Sequence, residues 1–330
     1  MNYLQLSYRS IELLTSAWKQ SRFTRTFLNP LINQHTSALN YTLSASERKK
    51  VLFYYPMYTI LACAEMYLAV KGRGLKTAER KRLTLVAAMA TICDDLIDED
   101  KWTRDQVFKL LAAGLDEDGL STKARLLLLM NGELKKIWPL SAAYLEQLKV
   151  ALEWQSLSVR QLDPSIRVEE IIQVCREKNG HTSLMFSTLL DETWTDAERN
   201  FIYQSAIVGQ LTNDAFDIYF DVQSGLSTYI NRATSVADSR AFFIDECRKL
   251  HQYVLGTDNR ARHKRACIQR MSCMHAFTLV AFDHLQNTER KYGVPVNWKK
   301  PSRKEMVTDM AFNRNRFKLL KYILQLSELR

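Results

Sequence analysis

Residues 210–221 read QLTNDAFDIYFD. Asn213, Asp217 and Asp221 recur every four residues, which places three oxygen-bearing side chains on one stripe of a helix. Asp214 stands beside that stripe and Gln210 lies one turn upstream. Ala215, Phe216, Ile218, Tyr219 and Phe220 fill the spaces, and no lysine or arginine occurs from Gln210 to Asp221. A solvated helix face normally mixes charges of both signs, whereas adjacent carboxylates in apolar surroundings repel and are costly. A hard divalent cation offsets that cost. Magnesium takes oxygen ligands, keeps several waters, and is usually held by one or two carboxylates together with substrate phosphates.

A second cluster, CDDLIDED at 93–100, closes the apolar run LTLVAAMATI at 83–92. Asp94 and Asp98 lie one turn apart with Asp95 beside them. The C-terminal end of a helix is the wrong end for acids under the helix dipole. Two such clusters, each flanked by apolar sequence, suggest a shared cation site in the core of a helical bundle.

The rest of the chain supports an all-α fold. Glycine (10) and proline (6) are scarce among 330 residues, which disfavours a turn-rich β architecture. Amphipathic or buried helices are expected at 51–70, 80–98, 122–136, 141–161, 168–190, 196–222, 235–255, 262–291 and 304–328. Breaks are expected at KGRG (71–74), at Leu162-Asp163-Pro164, at the N-cap Thr195-Asp196 and at Tyr292-Gly293-Val294-Pro295. Residues 1–45 read as accessory helices broken at Asn29-Pro30. With no Gly/Ser-rich linker and no internal repeat, residues 1–330 read as a single domain.

The formal charge of +10 suits nucleic acid, anionic lipid or an anionic small substrate without choosing among them. The basic run RARHKRACIQR at 260–270 reads as a solvated or anion-facing helix start, and no zinc, RRM or helix-turn-helix signature accompanies it. Six cysteines without a CxxC pair read as reduced, mostly buried thiols of a cytoplasmic protein. No secretory signal is visible, and the longest apolar stretch, Met57 to Val70, contains Glu65 and falls short of the ~20 residues of a membrane span.

QLTNDAFDIYFD resembles the second aspartate-rich motif of squalene and phytoene synthases, QxxNxxxDxxxD. CDDLIDED is similar to the first motif of that group, and also to the DDxxD of class I terpene synthases and polyprenyl diphosphate synthases. VCREKNGHTSLM at 174–185 is similar to the phytoene synthase segment in which Cys175, Gly180 and Leu184-Met185 fall in register, and GLSTYIN at 225–231 sits where that family has a glycine-tyrosine stretch. The likeness spans roughly residues 50–290. It departs from the two-substrate enzymes at Phe216, where an arginine is usual, at Val174, where a tyrosine is usual, and at ERKKVLFYYPMY, which lacks the GKxxRP pattern.

The resemblance implies a class I isoprenoid synthase bundle with a central cavity, in which Asp94, Asp95 and Asp98 from one wall and Asn213, Asp217 and Asp221 from the other hold magnesium, three ions with substrate bound. It also implies diphosphate contacts from Arg176, Lys178, His181 and Arg314, with Arg104 and Arg316 as weaker candidates. Phe53, Tyr54, Tyr58, Trp154, Phe186, Phe216 and Phe282 are the candidate pocket walls for a carbocation, and His181 and Tyr229 the candidate proton relays. The departures favour a terpene synthase that ionises one C15 or C20 prenyl diphosphate. A head-to-head prenyl synthase and a non-catalytic prenyl-diphosphate-binding protein are the alternatives. The expected partners are the prenyl diphosphate, a membrane surface met peripherally and a second copy of the chain, with no nucleic acid.

Overall fold

The structure, a computed structural model, describes residues 3–114 and 119–329. Every regular element among the described residues is helical, and no strand occurs among them. The protein is therefore all-α, as its low glycine and proline content implied. Contacts divide it into two compact units. One comprises Met1–Ser10, Ser158–Gly180 and Trp194–Arg330, and the other Ile11–Leu157 and His181–Thr193. They are called here the C-terminal and N-terminal units.

The N-terminal unit is built around the Thr77–Asp98 helix, whose Leu83, Leu85, Val86, Ala87, Ala88, Met89, Ile92 and Leu96 are buried. Complete burial of one leucine contributes about 1.5–3 kcal/mol, so this run is a substantial part of the unit's apolar core. It packs on the Thr122–Ile137 helix and on the helix Ala45–Lys71. The latter is longer than the apolar run Met57–Val70 suggested. By length and composition it is the one described helix that could cross a membrane, yet half of its apolar window is buried inside the protein. Glu65, within that helix, is ion-paired to Arg80 at 3.2 Å. Gly72 ends the helix in the left-handed conformation (φ 73°), as the KGRG signal predicted.

Two prolines did not act as breaks. The chain is helical from residue 3 to residue 38, and Pro30 is accommodated because Thr24–Leu28 widens into a π-helical turn. That turn contains Thr26, four residues before Pro30, whose carbonyl a regular turn would press against the proline ring. Lys50–Tyr54 does the same for Pro56. The Arg104–Ala112 helix lies outside the helices expected from periodicity, and Thr103 and Gln106 form a capping box at its start.

In the C-terminal unit the 29-residue helix Asp196–Ser224 packs on Val236–Leu255 and Ala261–Tyr292, and Asn313–Ser327 lies on the last of these. Phe201, Phe243 and Phe282 are fully buried, with Phe243 and Phe282 edge to face at 5.8 Å. Thr195 caps the long helix. Its Oγ1 accepts from the Glu198 N–H while Glu198 Oε2 accepts from the Thr195 N–H. The expected helix at 304–328 is split into Arg303–Met306 and Asn313–Ser327, and Asp309 Oδ1 accepts from the Ala311 N–H in the turn between them. All six cysteines are free and buried.

His275 is buried in this unit beside Phe243, and burial pushes its imidazole down to about 3 from an ordinary 6.5. His251 is lowered for the same reason. The folded state keeps His275 neutral, so below about pH 6.5 only the unfolded chain takes up the proton. Stability from this group is full above that value and is lost as pH falls towards 3. The loss between about pH 7 and pH 5 is expected to be ~2 kcal/mol. Urea unfolding at the two pH values should show it, and His275→Leu should flatten the dependence.

Candidate functional site

The first aspartate cluster ends the Thr77–Asp98 helix in the N-terminal unit. Asp94 and Asp95 are half-buried and Asp98 is exposed. Tyr55 Oη donates to Asp94 Oδ2 at 3.1 Å, and the negative charge of Asp94, followed by burial, raises the Tyr55 phenol well above its ordinary range. Gln155 Nε2 donates to both oxygens of Asp98, at 3.3 and 3.2 Å. Asp95, turned about 100° around the axis from Asp94, has different neighbours. It pairs with Lys50 at 3.6 Å and lines a small recess with Tyr41, Glu47 and Lys123. Burial raises the Asp95 carboxyl, and Lys50 opposes that rise. Asp94 thus accepts from a phenol and Asp98 from an amide, while Asp95 is turned towards Lys50.

The second cluster lies on the Asp196–Ser224 helix. Asn213 is exposed, while Asp214, which the four-residue spacing set to one side, is almost completely buried at 1% exposure. Gln210 Nε2 donates to Asp214 Oδ1 at 2.6 Å. Burial nevertheless pushes the Asp214 carboxyl up to about 7, with Asp217 adding to the rise and Lys178 opposing it. Burial raises Asp217 as well, against a hydrogen bond from Asn213. Asp221 is pushed up to about 8, first by burial and then by Asp214 and Asp217. The inward stripe is therefore Gln210, Asp214, Asp217 and Asp221, at spacings of four, three and four residues, with Asp214 buried and the other three half-buried, and Asn213 supports it from its edge.

Asp214 Oδ2 and Asp221 Oδ2 are buried and have no hydrogen-bond partner. Each is a desolvated lone-pair group, and the charge of Asp214 adds to the rise at Asp221. Such a donor set fits a hard cation. Among the described residues no group of three or more His, Cys, Asp or Glu side chains is already gathered around one point. Asp214 and Asp221 are spread over about 10 Å of helix axis, so the stripe is an open rail rather than a closed cage.

The basic candidates have separate surroundings. Lys178 is the cation that acts on Asp214 and on the buried thiol of Cys175. Arg176 is committed to Glu246 Oε2 and Gln204 Oε1, both at 3.1 Å. His181 Nδ1 lies 2.9 Å from Gln147 Oε1. Arg104 pairs with Glu153 at 2.6 Å. Arg314 and Arg316 are exposed on the Asn313–Ser327 helix. Arg303, not among the expected anion contacts, sits over the ring of Phe220, the residue preceding Asp221, at 5.3 Å.

Among the aromatic candidates, Phe53, Tyr54 and Tyr58 are exposed on the helix Ala45–Lys71, at or beside its π-helical turns. Trp154 and Phe216 are half-buried, and Phe186 and Phe282 are buried. Tyr229 is stacked on Phe242 at 4.3 Å.

Gly180 has a local cause. A Cβ there would lie 2.3 Å from the Tyr203 ring. Gly180→Ala is expected to cost about 1–3 kcal/mol by overpacking. Thermal unfolding should register that loss, and combining the change with Tyr203→Ala should recover part of it.

Compared with protein-family models, curated proteins and solved structures, the chain matches none.

Proposed function

We propose that this protein is a magnesium-dependent terpene synthase that ionises one C15 or C20 prenyl diphosphate. The observation that carries the reading is the carboxylate stripe of buried Asp214 with half-buried Asp217 and Asp221, in which Asp214 Oδ2 and Asp221 Oδ2 are buried without a partner and Lys178 is the cation acting on Asp214. A carboxylate rail about 10 Å long suits several ions shared with a bridging anion better than one ion in a closed cage. Magnesium bound there would neutralise the diphosphate as a leaving group.

In this reading Asp217 and Asp221 hold the cations, and Asn213 positions Asp217 through its hydrogen bond. The motif resemblance implies Asp94, Asp95 and Asp98 as a second carboxylate set, of which Asp95 is already paired with Lys50. Lys178 adds a fixed positive charge for the diphosphate. Phe216, on the same helix as the rail, offers a ring face that tolerates positive charge while excluding water.

The test is product analysis after incubating the purified chain with farnesyl or geranylgeranyl diphosphate and magnesium. Cyclic or rearranged C15 or C20 hydrocarbons or alcohols are the expected outcome. C30 or C40 products would replace this reading with head-to-head coupling. Tight binding without diphosphate release would leave a binding protein.

A further inference from the structure

Residues 290–321 hold ten lysines and arginines against two acids, Glu305 and Asp309, so this stretch carries +8 of the chain's formal +10. Lys291 is paired with Glu305 and Lys318 with Asp283. Lys299, Lys300, Lys304, Arg314, Arg316 and Lys321 have no ion pair among the described residues, and all six are exposed. So dense a concentration of unpaired charge of one sign is self-repelling, and an anionic partner relieves it.

The same stretch contains an amphipathic helix with two apolar faces. The inner face of Asn313–Ser327, formed by Tyr322, Ile323 and Leu326, is buried against the Ala261–Tyr292 helix. On the opposite face stand Phe317, 73% exposed, and Leu320, 41% exposed, with half-buried Leu324 one turn further on. At 100° per residue, Phe317, Leu320 and Leu324 fall within a narrow arc, with Arg316 on one flank and Arg314 and Lys321 on the other. Phe312, 62% exposed, precedes the helix. The helix contains no acidic residue.

We propose that this outer face docks the protein on an anionic lipid bilayer. Phe312, Phe317 and Leu320 enter the boundary between headgroups and acyl chains, and the flanking arginines and lysines meet the lipid phosphates. Charge complementarity selects the partner. An apolar ridge bordered on both sides by unpaired cations matches a surface with anions above and hydrocarbon beneath. A protein groove of neutral chemistry would leave the cations uncompensated, and a nucleic acid would leave the leucines so.

The experiment is vesicle co-sedimentation of the full chain without magnesium or substrate, using phosphatidylcholine alone and phosphatidylcholine mixed with phosphatidylglycerol. Binding is expected on the anionic vesicles only and should weaken as salt rises. Phe317→Ser with Leu320→Ser should lower it about tenfold or more. Each of Arg316→Glu and Lys321→Glu, which flank the apolar ridge, should lower it on the order of fivefold. The substituted side chains are exposed, and unchanged melting curves would verify that the variants fold. Should the double variant fail to fold, Lys321→Glu alone serves the same purpose. Equal sedimentation with neutral vesicles, no sedimentation with either, wild-type binding by the variants, or salt-sensitive RNA binding in place of vesicle binding would each overturn the proposal.

Discussion

Asp221→Asn is expected to lower magnesium-dependent diphosphate release about 10²–10³-fold while making the metal-free protein more stable by ~1–3 kcal/mol. The two effects have one origin. Asp221 is held in a desolvated stripe where burial, Asp214 and Asp217 all disfavour its charge, and its Oδ2 has no hydrogen-bond donor. Asparagine keeps the shape and one oxygen but removes the charge that a cation would require. A residue retained only for folding would behave oppositely, since its replacement would cost stability. Urea unfolding in the presence of a chelator and a diphosphate-release assay read the two halves of the prediction separately. Loss of stability together with unchanged release would make Asp221 a structural residue.

Glu246→Ala is expected to destabilise the C-terminal unit by about 3–5 kcal/mol. The carboxylate is completely buried and accepts from Arg176 at 3.1 Å, Gln204 at 2.7 Å and Lys249 at 2.9 Å. Removing it leaves the Arg176 guanidinium and the Gln204 amide without their acceptor. The same contacts change the expectation for Arg176. Its guanidinium holds the Val168–Ser187 helix to Val236–Leu255, so Arg176→Met should lower stability and leave the affinity for inorganic diphosphate unchanged. Thermal unfolding and calorimetric titration with magnesium diphosphate distinguish that outcome from a direct role in binding the anion.

Much of the local structure was legible in the sequence because its causes are local. Gly72 ends a helix because a left-handed residue is needed there, and Thr195 with Glu198 starts one because both groups of the capping box lie within four residues. Pro30 and Pro56 misled or went unremarked, since a π-helical turn that absorbs a proline has no signature in residue type. Thr103-x-x-Gln106 was a readable helix start, obscured by the acidic and loop-like residues on either side of it.

The candidate site was legible as a pattern of carboxylates but not as an arrangement of partners. The four-residue rhythm of Asn213, Asp217 and Asp221 is the stronger sequence signal, yet the buried carboxylate is Asp214 and Asn213 is exposed. The choice between them depends on which side of the helix the neighbouring Val236–Leu255 and Ala261–Tyr292 helices cover. Tyr55 with Asp94, Gln155 with Asp98 and Arg176 with Glu246 are separated by 39, 57 and 70 residues. Only tertiary packing brings such pairs together, and one sequence carries no record of it.

If the Asp214–Asp221 rail serves magnesium-assisted departure of a diphosphate, the most direct test is release of inorganic diphosphate from farnesyl and geranylgeranyl diphosphates by the purified chain, followed with magnesium and then with a chelator. Release that requires magnesium, stops with the chelator and is lost in Asp221→Asn is the predicted result. Background release from both substrates, or release unaffected by the chelator or by Asp221→Asn, would contradict the claim.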